Sequence, residues 1–280
     1  MRLLKTQQKA LQTMTDNNDL LTFGGHLEVL RHMLFRILGV AVVLAAVVFC
    51  FKDVTWQLLL APSEWNFCTY QWIESAMRTI GFADFHLDEF YVDLIATDLS
   101  SQFMTHIITA VYLGLLGASP YILFELFRFI SPALYESEKK YSVQVAVVIY
   151  FLFILGVLMS YFVLFPISFR FLGTYSVAER VHSTITLDSY VETFTTLTLV
   201  MGLVFQLPVI TFALAKMEFI SSSMLSKYRK HAFLIIMLVA AIITPPDLMT
   251  LILVTIPLYL LYELSIYIVK WVEKKNDDFE

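Results

Sequence analysis

Apolar and polar positions separate into long blocks along this chain. Six runs are almost wholly apolar: Met33–Phe51, Phe103–Phe127, Val143–Phe165, Phe194–Ala215, Ala232–Thr244 and Leu248–Val269. A helix needs about 20 apolar residues to cross the hydrocarbon core of a bilayer, so five of these runs read as membrane-spanning helices. The remaining run, Ala232–Thr244, is short and is ended by Pro245-Pro246. It reads as a short span that borrows flanking residues or thins the bilayer locally. The expectation is an all-α integral membrane protein of six kinked helices. Residues 1–24 form an N-terminal segment, 25–269 the membrane domain with an outer loop at 52–102, and 270–280 a polar tail.

Lys and Arg choose the orientation. With six spans both termini share one side, and placing that side inside puts Arg2, Lys5, Lys9, Arg31, Arg36 and ten further basic residues there. Only Lys52, Arg78, Arg170 and Arg180 stay outside. Cytoplasmic loops are enriched in Lys and Arg, so both termini are expected in the cytoplasm. The loop at 52–102 is then external, acidic and aromatic, and long enough to carry short helices of its own. Residues Met1 to Leu21 hold no continuous apolar stretch, so no cleavable leader is read there.

Composition agrees with lipid as the solvent. The chain of 280 residues is 58% hydrophobic and 15% charged, well under the roughly 25% charged share of soluble proteins. A net charge of -5 with no basic stripe excludes nucleic acid as a partner. Cys50 and Cys68 have no metal or redox spacing and read as free thiols. No catalytic motif is present, and no nucleophile, metal set or carboxylate pair shares a depth in the spans, so neither an enzyme nor a cofactor is expected.

Few polar groups enter the spans: Arg36, His106, Glu125, Gln206 and Glu263. Arg36 can snorkel to the inner boundary, and Glu125 can pair with Arg128 three residues on. Gln206 is different. It lies 12 residues into its run, or about 18 Å at 1.5 Å per residue, past the middle of the bilayer. Pro208 frees the carbonyl of Val204, and Gln206 is placed to donate to it or to a neighbouring helix. A mid-membrane polar group also suits a secondary transporter for a small solute or ion, and Gln206 is the residue that such a reading would rest on. At the inner face, Glu28 can pair with Arg31 or His32 along an amphipathic lead-in. Ser131-Pro132 and Ser137-Glu138 are good helix-start pairs.

In order along the chain stand "HLEVLR" (26–31), "AP" (61–62), "IATD" (95–98), "FISPALYESEKK" (129–140), "GVLMSYFVLFP" (156–166), "FQLPV" (205–209) and "TPPD" (244–247). Together they resemble the twin-arginine translocase subunit TatC family. The resemblance implies a cupped set of kinked helices in the bacterial inner membrane. It implies a receptor that binds the twin-arginine signal peptides of folded cargo at the cytoplasmic face, gathers TatA/TatB-type single-span subunits, is driven by the proton-motive force and works as an oligomer. Carried over position by position, Glu138, Phe129, Pro132 and Arg31 match the signal-peptide site. Pro62, Asp98, Tyr161, Pro208 and Asp247 match further family positions. Glu28 stands one residue before the family's usual glutamate, which is Val29 here, and Gln206 falls where many members carry a glutamate.

Overall fold

The computed structural model describes residues 23–82, 86–130, 142–176, 178, 184–244 and 246–277. Side chains at 23–27, 127–130, 142–145 and 275–277 fall outside that description, as do Pro132 and Glu138. Eleven α-helices are described: α1 (Phe23–Cys50), α2 (Lys52–Leu60), α3 (Cys68–Ile80), α4 (Ser101–Ile130), α5 (Ser142–Met159), α6 (Phe165–Thr174), α7 (Leu187–Val204), α8 (Leu207–Lys216), α9 (Ser222–Lys227), α10 (Arg229–Ile243) and α11 (Leu248–Asp277). A two-residue parallel pairing, β1 (Leu94–Ile95) with β2 (Ile185–Thr186), ties the external loop to the start of α7. The helix ends around residues 52–102 are termed the outer ends below.

Among the described residues five segments are long and apolar enough to cross a membrane: Glu28–Cys50, Ser101–Leu126, Ala146–Thr174, Leu187–Lys216 and Leu248–Lys274. The short run expected as a further span lies in α10, a helix of 15 residues. At 1.5 Å per residue it reaches about 22 Å, short of a hydrocarbon core of about 30 Å.

The prolines act in three ways. Pro120 and Pro257 lie inside continuous helices, so they do not end them. Pro166 follows a π-helical turn at Ser160–Leu164 and sits in the first turn of α6, so the third span continues past it. Its missing N–H leaves the carbonyl of Phe162 without a helical partner, and the Thr69 hydroxyl of α3 donates to that oxygen. Pro208 takes the first turn of α8, where a proline costs nothing. The fourth span is therefore two helices joined at Phe205-Gln206, with the Gln206 carbonyl accepting from Val209 and Ile210 N–H at 3.0 Å each.

The outer half of the core forms around α2. A helix leaves its last carbonyls without internal partners, and burying each unpaired would cost about 1–3 kcal/mol. Here tyrosines from three other segments reach two of them and one carbonyl of the short turn that follows, Ala61–Ser63. Tyr161 donates to Leu58 at 2.8 Å, Tyr190 to Leu59 at 2.8 Å, and Tyr70 to Pro62 at 3.0 Å. Tyr70 also lies 2.9 Å from the carbonyl of Pro166, so its one proton is shared. Burial pushes the Tyr70 phenol well above its ordinary value, against the pull of Arg170, and keeps it a donor. Phe165 meets Tyr190 and Phe194 edge to face with centroids 5.0 Å apart, a geometry that aromatic quadrupoles favour. Arg170 lies 4.9 Å from the Phe90 ring centre and 5.4 Å from that of Tyr70.

Candidate functional site

Three groupings of polar residues stand out: the inner end of the α1–α4 seam, the α5–α7 crossing, and the outer helix starts.

Helices α1 and α4 run antiparallel. A Cβ built on Gly114 would come within 2.6 Å of Ala45 Cα. Toward the outer end, Phe49 stacks on His106 at 4.4 Å. Toward the inner end, Arg36 pairs with Glu125 at 3.3 Å. Five residues further along each helix, Arg31 comes level with Ile130, the last residue of α4. The register thus brings Arg31 to the end of α4 beside the backbone of Phe129 and Ile130, while Glu28 lies a turn further along α1, beyond the last described residue of α4. The Phe129 side chain, Pro132 and Glu138 lie outside the described residues.

The local ion pair expected of Glu28 is not formed among the described residues, and the one expected between Glu125 and Arg128 involves a side chain outside them. Glu125 is 4% exposed and is held by Arg36 of α1, so Arg36 is an ion-pair partner and not merely a snorkelling cation. Among the described residues Glu28 forms no ion pair; its backbone carbonyl lies 2.9 Å from His32 Nδ1. Arg31 lies over the Phe35 ring at 5.9 Å. Met33 is the buried residue of this stretch. At about 100° per residue, Val29 lies about 40° around the helix from Met33 and Glu28 about 140° away. Glu28 therefore points away from the core-facing side, while Val29, at the usual glutamate position, lies nearer that side though it is itself exposed.

At the α5–α7 crossing, Gln206 Nε2 donates to the carbonyl of Ile149 at 3.1 Å and lies 3.5 Å from that of Gly202. Of the two targets open in the sequence, the neighbouring helix wins and Val204 is not the acceptor, because the break at Phe205-Gln206 turns the amide toward α5. Gln206 Oε1 is buried without a protein partner. Ser160 and Thr198 hydroxyls are 3.2 Å apart at the same crossing. An ionised carboxylate at 206 has no proton for Ile149. Gln206→Glu is expected to cost about 1–3 kcal/mol of stability, read as a lowered unfolding midpoint in detergent. An unchanged midpoint would show that the Ile149 bond contributes nothing.

At the outer ends, Pro62 is buried and Tyr161 packs against Phe194 as well as binding Leu58. Asp98 is exposed, and it is its backbone carbonyl that accepts from Ser101 N–H at 3.1 Å. The carboxylate that does join two helices there is Asp188, missed from sequence. It accepts from Ser101 at 2.5 Å and from the Thr105 hydroxyl, fastening α7 to α4. Its position two residues after a Thr186 N-cap was the available signal. Asp247 caps α11 by accepting from Thr250 N–H at 2.7 Å. Cys50 and Cys68 are free. Glu263 is paired with Arg229 at 2.9 Å and takes a hydrogen bond from Tyr259. Among the described residues no three His, Cys, Asp or Glu side chains gather to hold a metal.

These features define an all-helical, multi-pass membrane protein whose polar groups lie at helix seams and helix ends. The family described as "Sec-independent protein translocase protein (TatC)" matches residues 25–257, and the chain belongs to that family. It is 33% identical to the TatC protein of Blattabacterium sp. subsp. Periplaneta americana (strain BPLAN), over 94% of this chain and 100% of that one. It is 38% identical to TatCy of Bacillus subtilis (strain 168), over 59% and 65%. A crystal structure described as "Twin Arginine Translocase Receptor- TatC" matches with a TM-score of 0.70 at 28% identity, covering 88% of this chain and 98% of that one.

Proposed function

We propose that this chain is the core receptor subunit of a twin-arginine export system. It binds the paired arginines of a folded cargo's signal peptide at the cytoplasmic face of the bacterial inner membrane, through Glu138 with Arg31, Phe129, Pro132 and Glu28 around it. It then gathers TatA/TatB-type subunits for transport driven by the proton-motive force. Both termini face the cytoplasm, and α10 with flanking residues serves as a short span, completing six in a cup.

The observation that carries this reading is the α1–α4 register, which sets the "HLEVLR" segment beside the end of the helix that leads into "SPALYESE". A guanidinium pair needs carboxylates held by helix ends and seams at the inner surface, where two planar forks can each take bidentate bonds. The test is a deletion. Export of twin-arginine cargo is expected to stop and to return on complementation, while export of unfolded proteins continues. Undiminished export of twin-arginine cargo from the deleted strain would overturn the reading.

A further inference from the structure

We propose that Arg36 and Glu125 are positioning residues for the signal-peptide site: their ion pair locks the inner ends of α1 and α4 in register. This rests on the receptor reading above and extends it to two residues outside all the motifs quoted above.

The pair bridges α1 and α4 at 3.3 Å, with Glu125 almost fully buried and Arg36 half exposed. Both ends of the proposed site hang from it. Five residues from Arg36, one turn and a half along α1, is Arg31. Four residues from Glu125, one turn along α4, is Phe129, and the segment carrying Glu138 follows. The rest of the inner seam is apolar and slippery: on α1 it consists of buried Met33 flanked by half-buried Leu30 and Ile37, while Leu34, Phe35 and Leu38 face outward. Apolar contact in lipid fixes neither rotation nor sliding, because lipid tails serve an apolar surface equally well. An ion pair fixes both, and polar pairs are best attested in this role of setting register.

The turned motif glutamate strengthens the case. With Glu28 on the far side of α1, the buried carboxylate on the described part of this seam is Glu125, supplied from α4. A buried carboxylate stripped of its guanidinium is strongly unfavourable. Without Arg36, therefore, Glu125 takes up a proton or reaches water by a turn or shift of α4, and either change releases the register from which the proposed site hangs.

The test is equilibrium binding of a fluorescent twin-arginine signal peptide, and of its twin-lysine counterpart, to the purified full-length protein in lipid nanodiscs. Wild type is expected to prefer the arginine peptide; no preference would sink the receptor reading itself, not only this extension. Given that preference, Arg36→Gln and Glu125→Gln are each expected to raise Kd about tenfold at unchanged binding stoichiometry. The exchange Arg36→Glu with Glu125→Arg is expected to bring Kd back within about threefold of wild type, as is the conservative Arg36→Lys. A wild-type Kd in both single variants would overturn the proposal. So would fewer binding sites at unchanged Kd, the signature of a purely structural role, or an exchange variant as weak as the singles.

Discussion

Replacing Gly156 by leucine is expected to split the α5–α7 crossing and to remove most of the folded protein from detergent extracts. The reason is backbone contact. A Cβ on Gly156 would lie 2.5 Å from the carbonyl oxygen of Met201 and 2.9 Å from its carbon. No side-chain rotation relieves a clash with backbone, so the helices themselves must part. Overpacking costs typically 1–3 kcal/mol, occasionally more, and this site belongs at the upper end. Parting also breaks what the close approach permits: the Ser160–Thr198 contact at 3.2 Å and the Gln206–Ile149 bond at 3.1 Å. Gly156 and Ser160 on one helix face Thr198 and Gly202 on the other, the small-residue spacing by which membrane helices approach closely. A Cβ on Gly202 would meet the Phe153 ring at 2.7 Å, which confirms that both sides are tight. Gly39 is the control, since a Cβ there meets nothing within 4 Å. Gly39→Ala is expected to hold or slightly raise the unfolding midpoint, as alanine is the better helix former by about 1 kcal/mol. Measuring the midpoint of Gly156→Leu by size-exclusion after heating decides the matter; a wild-type value would refute the close-packing account.

How far the pattern of residues foretold this structure depends on how local the cause is. Five long apolar runs become five membrane-length helical segments because each run carries its own hydrophobic instruction. The short run resists the same reading, since a helix of 15 residues does not by length alone declare that it spans. Glu125 shows the other limit. Its partner Arg36 is distant in sequence and reaches it because α1 crosses α4 where an antiparallel register brings the two together. The link between Asp188 and α4 spans 83 residues of sequence or more, and Ser101 and Thr105 look like any helix-start hydroxyls until the helices meet. The same holds for Tyr190, whose partner Leu59 is 131 residues away. Proline chemistry was legible in kind but not in outcome. That Pro166 frees a carbonyl is a property of proline; that Thr69 takes it up is a property of the fold.

Charge inversion at Glu138 is expected to abolish docking of a twin-arginine signal peptide while the protein still inserts. A hydrogen bond to a charged group contributes about 1.5–3 kcal/mol, and a bidentate carboxylate–guanidinium pair makes two in one plane. Glu138→Lys removes that acceptor and sets an ammonium before two guanidiniums, a like-charge contact that costs several kcal/mol. Together these exceed about 3 kcal/mol, and each 1.4 kcal/mol is tenfold in affinity. Binding should fall at least a hundredfold. Insertion is expected to survive because residue 138 lies outside the five membrane-length segments, which end at Leu126 and resume at Ala146 on either side of it. Glu138→Gln keeps an acceptor without the charge and should fall between wild type and the lysine variant. Crosslinking from the signal peptide's arginine region reports docking directly. If Glu138→Lys crosslinks at the wild-type level, Glu138 is not the contact, and the Arg31 end of the seam becomes the place to look.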